Sequence, residues 1–131
     1  MMNHKHTDLK PMDPRVIKGI QLFNQKRFFD AHEELELAWR DETQPIRDLF
    51  RGILQIGVAY YHIQHRNFIG AQKMFIRAEK WLLPYSGFCL GINIEKLKKD
   101  TNKISRMLNN GELNEINTTD GSIFPVIETK Y

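Results

Sequence analysis

The chain has 131 residues, 41% hydrophobic and 27% charged, a balance that fits one folded domain and excludes a low-complexity or disordered chain. With 19 Lys and Arg against 16 Asp and Glu, the formal charge is only +3 and the signs are interspersed, so no nucleic-acid surface is expected. The most apolar stretch, ILQIGVAYYHI, is broken by Gln55 and falls well short of the roughly 20 residues of a membrane span.

Residues 1–12 are polar, carry no apolar signal-like core, and read as a flexible segment whose His4 and His6 are surface histidines. The helical domain runs over 13–110. Asp13 and Pro14 open a first helix, as cap and first-turn residue, and Ile17, Ile20 and Phe23 line its face up to Asn24. A second begins near Arg27, with Phe28, Ala31, Leu35 and Ala38 at steps of three and four, and stops at 41–43 ahead of Pro45. The third, about 46–65, is apolar on more than one face and is expected to be the central helix. Asn67 caps a fourth with Ala71, Met74, Phe75, Ala78 and Leu82, which Pro84 closes. PYSGFCLGIN reads as a loop, and Asn93 caps a fifth helix that ends at Asn109-Asn110-Gly111. Residues 111–131 form an irregular tail in which only SIFPVI suggests extended chain. Cys89, the only cysteine, precludes an internal disulfide and suits a cytoplasmic protein.

Gly19, Phe28, Ala31, Leu35 and Ala38 recur 40 residues later as Ala59, Phe68, Ala71, Phe75 and Ala78. The spacing weakly resembles a tetratricopeptide hairpin, but two copies cannot make a solenoid. The expected fold is all-α: two antiparallel helical hairpins closed by a fifth helix. Phe28, Leu35, Ile53, Phe68, Ala71 and Phe75 are expected in the core, with Gly70 and Ala71 where two helices come closest.

FFDAHEELELAW, residues 28–39, concentrates the chemistry. His32, Glu36 and Trp39 share a helical stripe bordering the apolar face, so Glu36 requires a partner from among Arg40, His32 and, across the bundle, His62. A metal reading takes His32, Glu36 and His62 as ligands for zinc, iron or manganese, with Glu33 as general base. The spacing departs from the HExxH zinc helix and from the Glu-x-x-His pairs of di-iron bundles. A hydrogen-bonded structural cluster, with no cofactor, is therefore the favoured expectation. No Gly-x-Ser-x-Gly or phosphate loop occurs.

The ordered set Phe29-x-Ala31-His32-Glu33-x-x-Glu36-x-x-Trp39, Gly52-x-x-Gln55, Tyr61-His62 and Asn67-x-x-Gly70-Ala71 resembles the family catalogued as domain of unknown function 309, over about residues 19 to 97. The resemblance implies a small all-helical fold of mostly prokaryotic occurrence and no settled activity. It marks His32, Glu33, Glu36, Trp39, Gln55, His62 and Asn67 as pattern positions. Arg66 stands where that family usually has Gly, which questions the tightness of the turn, and Asn93 where it usually has Asp. Two functions are open: a non-enzymatic binding or scaffold module for a protein or small-molecule partner, with room for a homo-oligomer, and a metal-dependent hydrolase.

Overall fold

The computed structural model describes residues 12–131, in five helices: α1 (Pro14–Asn24), α2 (Phe28–Asp41), α3 (Arg47–Gln64), α4 (Phe68–Leu82) and α5 (Ile94–Asn109). The expectation of a flexible segment over 1–12, with its two histidines, falls almost wholly outside the described residues. Asp13 caps α1 by accepting from the Arg15 amide at 2.9 Å, and the Arg15 guanidinium reaches on to Asp41 at 2.8 Å. That contact joins the start of α1 to the end of α2, so the pair is antiparallel. Ring contact between Phe29 and Tyr61 (6.0 Å) orients α3 against α2, and Gly52 beside Leu82 orients α4 against α3. No helix among the described residues is long and apolar enough to cross a membrane.

The 40-residue repeat is exact at the turns. Lys26 and Arg66 both take left-handed backbone, with φ of 66° and 60°. Arg27 N donates to Leu22 O at 2.9 Å and Asn67 N to His62 O at 2.7 Å, the long bond of a Schellman closure in both copies. The second turn is therefore as tight as glycine would make it, although a non-glycine left-handed residue costs about 1–2 kcal/mol. The side chain offsets that cost. Arg66 donates to the carbonyls of Leu113, Asn114 and Ile116, at 3.3, 2.7 and 2.8 Å. Lys26 does the same to Phe124 O at 2.5 Å, and Asn24 pairs twice with the backbone of Ile127.

These bonds draw the tail over the turn end of the hairpins. Leu113, Thr118, Phe124 and Ile127 are buried, and Phe124 stacks on Tyr60 with ring centroids 4.6 Å apart. Tyr60 also meets Phe23, Phe28 and Phe75, so it stands at the centre of the core. Burial holds its hydroxyl well above the usual phenol range.

Three expectations need correction. The loop before α5 contains a two-residue antiparallel pair, β1 (Phe88–Cys89) and β2 (Ile92–Asn93), and Thr129 of the tail bridges to Ile92. Phe68 is only half-buried, because it opens α4 beneath the Arg66 guanidinium, 4.8 Å away. Gly70 does not mark a close helix approach: a Cβ there would meet the Asn67 side chain at 2.7 Å, the cap that accepts from Gly70 N. The close approaches are at Gly19, where a Cβ would lie 2.7 Å from Leu35, and at Gly52, 2.6 Å from Leu82.

Gly52→Ala is expected to destabilise by about 1–3 kcal/mol through overpacking. Gly57→Ala, where the added Cβ meets Phe23 at an ordinary 3.6 Å, should be neutral or gain up to about 1 kcal/mol. Urea unfolding of both variants checks the pair. Arg66→Ala should be less stable than Arg66→Gly by about 1 kcal/mol, since only glycine relieves the backbone. Hydrogen exchange over the tail should quicken in both.

Candidate functional site

The polar stripe of α2 forms because Phe28, Ala31, Leu35 and Ala38 turn inward and leave His32, Glu36 and Trp39 at the edge of the buried face. His32 Nε2 lies 3.2 Å from Glu36 Oε1, and Arg40 Nη2 lies 2.8 Å from Glu36 Oε2. Glu36 thus finds both partners on its own helix. With about a third of the His32 and Glu36 side chains exposed, each link contributes at most about 1 kcal/mol.

His62 does not join them. Asn67 Oδ1 accepts from Gly70 N, which fixes the amide orientation and leaves Nδ2 to donate to His62 Nδ1 at 3.3 Å. The expected trio of His32, Glu36 and His62 is therefore split, because the cap of α4 claims His62 and α2 satisfies its own carboxylate. Among the described residues no three of His, Cys, Asp and Glu gather so as to hold a metal ion. Glu33 is exposed on α2, and Gln55 is buried with its Oε1 unbonded among the described residues.

One grouping was not foreseen. The Arg51 guanidinium sits over the Trp81 ring at 4.4 Å and over the Trp39 ring at 5.1 Å, and Arg47 lies over Trp39 at 4.7 Å. These contacts bridge α2, α3 and α4. A sequence signal existed: Arg51, Gln55, Val58 and His62 fall at steps of four, three and four on α3. Trp39 Nε1 is buried without a hydrogen-bond partner among the described residues.

Burial, with a smaller contribution from His65, lowers the His62 pKa. The bond from Asn67 acts the same way, since it requires a free Nδ1 lone pair. The folded chain thus binds a proton at His62 less readily than the unfolded chain, so this residue's contribution is complete above the unfolded value of about 6.5 and is lost as pH falls below it. His62→Gln should therefore lose less stability than the wild type between pH 7.5 and 5.5, as read by urea midpoints at the two pH values.

Residues 16–74 match a family model described as Domain of unknown function (DUF309). The match covers most of α1, all of α2 and α3 and the first half of α4, and holds every pattern position from His32 to Asn67, but it ends short of residue 97, to which the motif resemblance extends. No curated protein matches the chain. Over residues 16–74, a little under half of its length, the chain is similar to the family described as Domain of unknown function (DUF309), in agreement with the resemblance carried by its motifs.

Proposed function

We infer that the chain is a non-enzymatic binding module of the cytoplasm that engages a carboxylate-bearing protein partner across the seam of α2, α3 and α4, without a cofactor. The observation that supports this most is the stack of Arg51 between Trp39 and Trp81, with Arg47 beside it. Trp and Arg are the residue types that concentrate binding energy at interfaces. A guanidinium held between two rings has already lost much of its rotamer freedom, so its planar fork is preorganised for a carboxylate. Among the described residues, no carboxylate forms an ion pair with Arg51; Glu36, on the same helix as Trp39, is engaged by Arg40 and His32. The lone Cys89 agrees with a reducing compartment.

The hydrolase alternative would need His62 to leave Asn67, and His32 Nε2 to leave Glu36 Oε1, before the three could share an ion. That rearrangement would cost bonds already made, so the binding reading is preferred.

Capture of partners on the immobilised full chain tests it. Arg51→Lys keeps the charge but removes the fork, and is expected to weaken retention by about tenfold, or about 1.4 kcal/mol. Unchanged retention overturns the reading. So does a saturable rise in the Tm of chelator-treated protein with zinc, iron or manganese that His62→Ala abolishes.

A further inference from the structure

The outer side of α4 carries an apolar stripe. Ile69, Ile76 and Leu83 follow one another at intervals of seven residues and are 68%, 70% and 75% exposed. Leu83 lies one residue past α4 but keeps helical backbone, so it continues the stripe. Ile76 and Leu83 rim a groove of about 380 Å³ between α4 and α5. Its floor is the buried set Phe75, Ala78 and Leu82, and Asn102 and Ser105 of α5 form the far wall.

The folded chain itself gives these side chains little to do. A β-branched residue at an exposed helical position is a poorer helix former than Ala, Lys or Glu. Exposed, it also gains no burial. Three large aliphatics in register are therefore best accounted for by a contact from outside.

Charge narrows the occupant. Over α4 and α5 there are 8 Lys and Arg against 3 Asp and Glu, a net +5, so the remainder of the +3 chain is net −2. Lys73 and Lys80 flank Ile76 along α4, three residues before and four after, and Lys99 and Arg106 flank Asn102 on α5 in the same way. The charged residues of the groove lining itself are Glu79 and Lys98, the latter bonded to Tyr85 O, so the positive excess lies along its edges. A second copy is poorly matched, because α4 against α4 would bring Lys73, Arg77 and Lys80 onto like charges.

We propose that the groove between α4 and α5 docks an acidic amphipathic helix of a partner protein. The partner's apolar residues, at seven-residue spacing, lie along Ile69, Ile76 and Leu83, and its flanking carboxylates face Lys73 and Lys80 outside the groove on α4 and Lys99 and Arg106 outside it on α5. This surface uses residues other than those of the Trp39–Arg51–Trp81 seam and does not rest on that reading.

The probe is a labelled synthetic helix of about three heptads, with Leu at the seam positions and Glu flanking them, read by fluorescence anisotropy on the full chain. A control peptide carries Lys in place of each Glu. The wild type should bind the acidic peptide at least about tenfold more tightly than the basic one, with affinity falling as salt rises. Ile76→Lys, a change at an exposed site, should weaken the acidic peptide by about tenfold or more. Lys73→Glu with Lys80→Glu should reverse the preference. Equal binding of the two peptides, or no binding of the acidic one, overturns the proposal. A wild-type dimer in sedimentation that Ile76→Lys dissociates also overturns it, since a second copy would then be the occupant.

Discussion

The ring of Tyr60 meets side chains from α1, α2, α4 and the tail, and the rest of the structure depends on that convergence. Two hairpins related by a repeat bury an interface between themselves but leave its turn end open. Phe23 and Phe28 approach from the first turn, Phe75 from α4, and Phe124 closes the cluster from the far end of the sequence. Edge-to-face and offset contacts of this kind add about 0.5–1.5 kcal/mol per pair to the area they bury. Because Tyr60 has essentially no exposed surface, no partner ring can withdraw without opening a cavity against it. The tail is thus a structural part of the helical unit.

What brings the tail there is a set of cations aimed at main-chain oxygens. Lys26 and Arg66 occupy the left-handed position of equivalent turns, and Lys96 adds a third cation, bonding Val126 O at 3.2 Å and Asp100 at 2.6 Å. At such a position glycine would cost less backbone energy. A long cationic side chain instead offsets the strain by donating to tail carbonyls, of which those of Phe124 and Leu113 are bonded in part-buried surroundings. Burial, helped by Lys96, lowers the pKa of Lys26, as expected for an ammonium that gives up water for a carbonyl.

The helices were legible in the sequence because their signals are local. Asp13, Asn67 and Asn93 cap α1, α4 and α5 as their positions suggest, each accepting from a backbone amide two or three residues on. The fold of the tail was not legible. Its anchoring uses backbone carbonyls, which any residue supplies, and its partners lie about 30 to 100 residues away in sequence. The site was legible to the same depth. The links from His32 and Arg40 to Glu36 are one helical turn long and follow from spacing. His62 was misassigned because two receptors competed for it, and the nearer, five residues on at Asn67, prevailed. Phe68 was misread for a related reason: its repeat mate Phe28 is buried by Phe124, whereas Phe68 is covered by an arginine.

Gly52 sets the position of both surfaces that α4 presents. Its missing side chain leaves room for Leu82, and a Cβ there would also come within 3.5 Å of the Trp81 Cβ. Leu82 floors the groove toward α5, and Trp81 covers Arg51 on the other side. Helices packed at this separation do not yield continuously, because a close-packed interior answers an added methyl with a shift of the whole element. A displacement of α4 away from α3 would lengthen the stack at Arg51 while narrowing or tilting the groove against α5. The polar seam and the apolar groove share no side chain in their proposed contacts. They are nevertheless held in register by one backbone approach, which a glycine permits and any larger residue would disturb on both sides at once.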